Sequence, residues 1–314
     1  MSPKQISVLG GSGFVGSHLI ARLAKAGHHV RVFTRHRERQ RHLLVLPTVE
    51  VIQADVHHPP LLEYYFSGQD AVINLVGILN EPRDNGLGFR YAHVDLAQKV
   101  VHACLKCGIK RLLHMSALHA DARHGASYYL RSKGEAQKLV HAAQGLDVTS
   151  FCPSVIFGPG DSFFNNFASL IRMSPGIVPL ACPTARFAPV YVGDVVEAMC
   201  HSLHDAQTIG RSYNLCGPKI YTLKQLLQYT AQIIHARRLI VGLGKTASRM
   251  MANVFQYMPV FRPITRDNYR SLQVDSVCPE AFPAIFNLNP RSIEEIVPTY
   301  LGHRATTRQY PLET

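Results

Sequence analysis

Residues 9–20 read LGGSGFVGSHLI, and this segment limits the possible folds more than any other. Gly11, Gly13 and Gly16 stand at G-x-G-x-x-G spacing. They follow an apolar run with strand character (ISVL, 6–9) and open a helical pattern from Phe14 to Ala26 that stops at Gly27. A strand turning through glycines into a helix gathers free backbone N–H groups and the positive helix end at one point, which suits a pyrophosphate. One glycine makes the turn, one lets phosphate approach the backbone, and one lets the helix pack close to the strand. On this reading Gly10, Gly11, Ser12, Gly13, Phe14, Val15 and Gly16 form a dinucleotide cradle.

Five further strand patterns follow: VRVFT (30–34), VEVIQ (49–53), AVINLV (71–76), RLLHMS (111–116) and DVTSF (147–151). Helical patterns lie between most of them, the longest from about Phe89 to Cys107. Buried strands alternating with helices predict an α/β fold, a doubly wound parallel Rossmann sheet covered on both faces. The expected division is a dinucleotide-binding domain over 1–152 and a smaller C-terminal substrate lobe over 153–314. Strands near 187–192 (FAPVYV) and 212–216 (SYNLC) are expected to return to the main sheet. Thr222-x-x-Gln225 and Ser292-x-x-Glu295 read as capping boxes opening two later helices. In 314 residues, 46% apolar and 17% charged content is ample for a core of this size.

The tip of the second strand selects the cofactor. A loop built for NAD usually offers an acid to the ribose 2′-hydroxyl. Here Thr34 is followed by Arg35 and Arg37, with no acid before Glu38. Guanidinium groups suit a 2′-phosphate through charge-assisted bidentate bonds, so NADP(H) is expected over NAD(H). Asp55, with Val56 beside it, is the candidate for the adenine edge. Asn74, Val76 and Gly77, closing the fourth strand, should pass close to the cofactor.

The net charge of +12, with 17 histidines besides, favours anionic partners. No zinc finger, RNP-like motif or long basic helix is present, so a nucleic acid is not the expected partner. Seven cysteines without framework spacing read as free thiols. Cys104 and Cys107 read as helix residues rather than metal ligands. His28-His29 and His57-His58 read as solvated. No signal peptide pattern and no membrane-spanning run is seen, so a cytoplasmic location is expected, with peripheral contact on the inner face of a membrane as an option.

YLRSK (129–133), PSVIFGPGD (153–161), FFNNFASLIR (163–172), PVYVGDV (189–195) and PITRD (263–267) occur in this order along the chain. With the glycine loop, they make the chain resemble the extended and atypical short-chain dehydrogenase/reductase superfamily over nearly its whole length. More narrowly, it resembles the branch holding the nucleotide-binding accessory subunit of mitochondrial respiratory complex I and its bacterial relatives. The resemblance implies Ser116, Tyr129 and Lys133 as the catalytic set and adds Tyr129, Lys133 and Pro153 to the cofactor site. A free phenol, with a pKa of about 10, is a poor base at neutral pH. A lysine four residues on shares its helical face and is expected to draw the pKa down.

Phe163, Phe164 and Phe167 fall where that superfamily builds its substrate pocket, which suggests a quinone, isoprenoid or sterol-like molecule, or else lobe core. Ala247, Met250, Met251, Val254, Phe255 and Met258 recur at helical spacing within 245–262, flanked by Lys245, Arg249, Arg262 and Arg266. That helix reads as a lid, as a peripheral membrane contact or as a docking face for a respiratory complex. Two functions follow: an NADP(H)-dependent oxidoreductase acting on a carbonyl or alcohol, and a non-catalytic NADPH-binding accessory or regulatory protein. A nucleotide-sugar epimerase or dehydratase stands third, since the basic loop argues against NAD(H).

Overall fold

A computed structural model of the chain describes residues 2–256 and 264–302. The first half supplies strands β1 (Gln5–Leu9), β2 (His29–Thr34), β3 (Val49–Gln53), β4 (Ala71–Asn74), β5 (Arg111–Met115) and β6 (Asp147–Pro153). Shorter strands follow: β7 (Ile156–Phe157), β8 (Ile177–Leu180), β9 (Arg186–Phe187), β10 (Val190–Tyr191), β11 (Ser212–Leu215), β12 (Tyr221–Thr222) and β13 (Leu239–Gly242). The helices are α1 (Phe14–Lys25), α2 (Arg41–Leu44), α3 (Pro59–Phe66), α4 (Leu87–Phe89), α5 (Leu96–Lys106) and α6 (Tyr128–Ala142). They continue as α7 (Phe163–Met173), α8 (Val192–Ser202), α9 (Leu223–Ile233), α10 (Lys245–Phe255), α11 (Arg266–Ser271) and α12 (Ile293–Leu301).

The main sheet has seven parallel strands in the order β11-β6-β5-β4-β1-β2-β3. Its strands are apolar on both sides because both faces are covered. On one face Leu19 and Leu23 of α1 and Val195 and Met199 of α8 pack against Val8, Val32 and Ile73. On the other, Phe66 of α3, Val100 of α5 and Val140 of α6 pack against Leu9, Phe33 and Leu112. Strand order reverses between β1 and β4. In open sheets of this kind ligands bind outside the carboxyl ends at that point, beside the glycine turn after β1 and residues 74–77 after β4.

Ser212–Leu215 joins the main sheet beside β6. The strand expected over 187–192 does not. It splits into β9, antiparallel to β12, and β10, parallel to β7, outside the sheet. Pro189 lies between the two pieces and has no N–H for a ladder, so a continuous strand is interrupted there. The long helix expected from Phe89 is also interrupted. Arg90–Asp95 adopts the wider π-helical winding between α4 and α5. Thr222 and Gln225 form a reciprocal capping box at α9. At α12, Ser292 instead donates to the Glu295 carboxylate and does not cap the backbone.

The smaller lobe packs α7, α9 and α12 around Phe157, Phe164, Leu226 and Val297. Phe164 is fully buried, and half-buried Phe163 and Phe167 pack around it and Phe187, so the aromatic cluster forms part of the lobe core. In α10, Ser248 and Ala252 face inward, as does Gln256 just after it, and Met251 and Phe255 pack near Ala181 and Ile264. Met250 and Val254 point outward, so one expected stripe divides into two faces. Met258 and Arg262 lie outside the described residues.

Two side-chain readings need correction. Cys216 and Cys278 form a disulfide across 62 residues, joining the end of β11 to the lobe, so these two are not free thiols. Linear spacing carries no signal for a pairing made by the fold. His28 is buried, accepts the Lys4 N–H through Nδ1 and stacks on His204; His57 stacks on Tyr91 at 3.8 Å. Cys104 is buried in α5, and the Cys107 thiol at its end donates to the Glu63 carbonyl. Among the described residues no helix is long and apolar enough to cross a membrane.

Candidate active site

The glycine turn is held by its own backbone. Gly10 has φ +75°, and its carbonyl accepts the Gly13 N–H at 3.0 Å. A Cβ on Gly16 would stand 2.5 Å from the Gly10 oxygen and the Gly11 Cα, so α1 can cross this close only with glycine there. Gly13 caps α1 without a side-chain bond, leaving the first-turn N–H groups of Phe14 and Val15 available to an anion. Ser12 is half-buried at the same turn. The Ser17 hydroxyl donates to the Gly13 carbonyl and approaches His42 Nε2 at 3.4 Å, tying α1 to the basic loop after β2.

In that loop Thr34 is buried and its Oγ1 accepts the His36 N–H. Arg35 and Arg37 are exposed, and their guanidinium groups have neither an ion pair nor a hydrogen bond among the described residues. Asp55 is exposed, with Oδ1 accepting the His57 N–H at 2.9 Å; Val56 packs on the core beside it. Asn74 is buried and its Oδ1 accepts the Val76 N–H at 3.1 Å, shaping the approach to exposed Gly77.

The second cluster lies at the carboxyl ends of β4 and β5. Lys133, 4% exposed, donates from Nζ to the carbonyls of Met115 at 3.0 Å and Val76 at 3.4 Å. Nζ also stands 3.0 Å from where a Cβ on Gly77 would be. Burial pulls its pKa down to about 8. Tyr129, one turn earlier, packs edge-on against Phe89 and His93, at 6.0 and 5.7 Å between centroids. Burial pushes its phenol up to about 12. The expected lowering by the lysine is therefore absent. Desolvation alone sets the shift, and the ammonium is turned to backbone carbonyls instead. The Tyr129 hydroxyl has no hydrogen bond among the described residues, so its tip remains available.

Ser116 Oγ is buried with no oxygen or nitrogen partner; its near polar neighbour is the Cys152 thiol, which itself points to Gln137 Oε1. Pro153 closes β6, and its carbonyl accepts the Leu118 N–H. Thus β5, β6 and α6 bring Ser116, Lys133 and Tyr129 to one edge of the sheet, while no direct bond joins the three.

Sequence reasoning missed three contributors. His93, in the π-helical stretch, accepts the Ile78 N–H at Nε2, so Nδ1 carries the proton and faces Ser132 Oγ at 2.8 Å; Ser132 in turn donates to the Tyr129 carbonyl. Burial and the Lys133 charge hold His93 neutral, at a pKa of about 2. His114 is buried with both ring nitrogens unpartnered, and burial, with the charges of Lys133 and His141, lowers its pKa to about 3. Asp267, from the lobe, accepts the N–H groups of Tyr128 at 2.8 Å and Tyr129 at 3.1 Å, while Ser127 takes that of Leu130. Arg270 pairs with Asp267 at 3.4 Å and bidentately with Asp84. The PITRD segment contains Asp267, the one sequence signal that pointed to it.

Comparisons with known proteins agree with this geometry. The chain is 28% identical over 253 residues to the mitochondrial NADH-ubiquinone oxidoreductase 40 kDa subunit of Neurospora crassa, covering 79% of this chain and 65% of that one. It is 25% identical over 287 residues to mitochondrial NADH dehydrogenase [ubiquinone] 1 alpha subcomplex subunit 9 of Mus musculus, covering 90% and 75%. The chain therefore spans just under two thirds of the fungal relative and three quarters of the mouse one. Its fold matches UDP-N-acetylglucosamine 4-epimerase from Methanobrevibacter ruminantium M1 at TM-score 0.72 and 18% identity, covering 96% and 97%. The NAD dependent epimerase/dehydratase family pattern matches residues 6–216, through the cradle, α6 and the whole main sheet, and the chain belongs to that family.

Proposed function

We propose that this protein is an NADP(H)-dependent oxidoreductase interconverting a carbonyl and an alcohol on a small apolar molecule. The observation that supports this reading is Ser116 Oγ, a buried hydroxyl with no oxygen or nitrogen partner and only the Cys152 thiol beside it, next to the Met115 carbonyl that takes Lys133 Nζ. Such a group is costly to bury unless a ligand completes its bonding. The residues present fit a dinucleotide. The turn from Gly10 to Gly16 and the N–H groups of Phe14 and Val15 would hold the pyrophosphate. Arg35 and Arg37, which face no carboxylate, would grip a 2′-phosphate. Asp55 and Val56 would meet the adenine, and Asn74, Val76, Gly77 and Pro153 would border the nicotinamide half.

When bound, the nicotinamide supplies the two-electron chemistry. Ser116 donates a hydrogen bond to the substrate oxygen and orients it. Tyr129 holds its proton, because burial keeps the phenol at about 12. It would act as the acid toward that oxygen in reduction and, once deprotonated, as the base in the reverse reaction. Lys133, now on the Val76 and Met115 carbonyls, would be the residue to hold the ribose and to offer its charge to the phenolate. Exposed Leu79 and Leu87, on the segment after β4, support an apolar substrate such as a quinone, isoprenoid or sterol-like molecule.

One observation favours a second reading. Lys133 already spends hydrogen bonds on the Met115 and Val76 carbonyls, an arrangement equally suited to a structural cofactor site. In that reading the protein is an NADPH-binding accessory subunit docked through α10 on a respiratory or quinone-handling assembly. The names of the fungal and mouse relatives, both subunits, support it. Bound cofactor would then add stability by mass action.

A single-turnover experiment separates the two. Protein loaded with NADPH, bound more tightly than NADH, should oxidise it when a carbonyl and quinone panel is added. Tyr129→Phe should slow this by at least about 100-fold while cofactor binding is kept. NADPH that stays reduced with every member of the panel, on folded and loaded protein, would leave the accessory reading standing.

A further inference from the structure

Most of the net positive charge comes from two acid-free segments. Residues 162–193 and 206–266 contain no aspartate or glutamate and eleven lysines and arginines, so they carry +11 of the net +12. These segments build much of the smaller lobe, including α7, β8, α9, β13 and α10.

Within them β8 and β13 lie side by side, with Ile177 opposite Leu239 and Pro179 opposite Val241. Strand alternation sends Val178, Leu180 and Ile240 inward against Leu223 and Leu227. It leaves Ile177, Pro179, Leu239 and Val241 together on the opposite face, all exposed; Ile177 is 57% and Leu239 63% accessible. Met173, ending α7, is 69% accessible. Arg172 and Arg237 flank this face in sequence, and neither guanidinium has an ion pair among the described residues. Arg238 is held by the Ser174 carbonyl, fixing the segment that enters β13.

A paired, wholly aliphatic face with two unpaired arginines next to it in sequence calls for an apolar and anionic occupant. Protein hot spots are rich in tryptophan and tyrosine. This face has neither, and no carboxylate pairs with Arg172 or Arg237 among the described residues, whereas Arg186 and Lys219 elsewhere on the lobe are matched by Asp275 and Glu294. A lipid headgroup layer is uniformly anionic and gives way to short aliphatic side chains. We propose that the outer face of β8 and β13 docks on an anionic bilayer. Ile177, Leu239, Val241 and Met173 enter the headgroup boundary, and Arg172 and Arg237 pair with lipid phosphates. This docking is independent of whether Tyr129 turns over a substrate.

The test is co-sedimentation of the full chain with protein-free vesicles. Partition onto phosphatidylcholine vesicles with about 30 mol % phosphatidylglycerol should exceed that onto phosphatidylcholine alone by about tenfold or more, and weaken as salt is raised. Leu239→Asp, and separately Arg172→Glu with Arg237→Glu, should each reduce it by about tenfold, with far-UV circular dichroism and dinucleotide binding unchanged. Absence of partition, equal partition onto neutral lipid, or folded variants that bind like the parent would each overturn the proposal. So would binding to protein-containing membranes with none to lipid alone, which would make the face a protein interface.

Discussion

The glycine turn and the α6 cluster both stand at the carboxyl edge of one sheet, yet they are built differently. The turn is local: residues 9–16 contain no titrating side chain, and its shape comes from backbone contacts among Gly10, Gly11, Gly13 and Gly16. The α6 cluster is assembled from afar. Lys133 leans on Val76 and Met115, Tyr129 on Phe89 and His93, and the helix start on Asp267, 138 residues away from Tyr129. The local device depends on sterics and is insensitive to pH. The assembled one depends on buried charge and on the smaller lobe staying docked.

The largest expected effect tests the steric half. In Gly16→Ala the new Cβ meets backbone atoms at 2.5 Å, and neither the Gly10 carbonyl nor the Gly11 Cα can rotate away as a side chain would. Overpacking against backbone should cost about 3 kcal/mol, read as a fall in the urea midpoint, and should abolish dinucleotide binding. A variant of normal stability and affinity would show that the turn has slack, and the contrast would fail.

The electrostatic half predicts a dependence on pH that the turn lacks. Lys133 has its folded-state pKa depressed from the ordinary 10.5 to about 8 by burial. Folding therefore disfavours its ammonium. The stability due to this group is full above pH 10.5 and is lost as pH falls through about 8. Wild-type stability relative to Lys133→Met should rise across that window by up to about 3 kcal/mol, measured by urea unfolding of both proteins at each pH. A flat difference would mean that water reaches the ammonium in the folded state.

What the sequence made legible follows the same division. The glycine turn, the strands of the first half and the seventh at Ser212–Leu215 are periodic or local signals, and they stand where periodicity put them. Ser116, Tyr129 and Lys133 converge on one edge, but the lowered phenol pKa did not follow from the four-residue spacing. Spacing fixes a helical face and says nothing of burial or of the carbonyls that capture Nζ. The Cys216–Cys278 bond, buried His114 and the capping Asp267 all depend on contacts between segments far apart, for which a linear pattern has no vocabulary. Phe163, Phe164 and Phe167 show the limit from the other side. An aromatic cluster is the same string of letters whether it lines a pocket or fills a core, and here it fills the lobe.

The smallest expected effect probes the joint between the regions. Asp267 takes the N–H groups of Tyr128 and Tyr129 and faces Arg270, so Asp267→Ala orphans two donors at the start of α6 and leaves Arg270 only Asp84 as carboxylate partner. Loss of a cap of this kind should cost about 2 kcal/mol, and Asp267→Asn, which keeps one acceptor, should recover about half of it. Chemistry at Tyr129 should suffer, since the residue that presents the phenol is the one whose N–H is released. Dinucleotide affinity should change by less than about threefold, because the cradle shares no contact with Asp267. Isothermal titration beside urea unfolding reads both quantities on the same sample. If affinity fell together with stability, the lobe would be holding the cradle as well as α6, and the two devices would have to be treated as one.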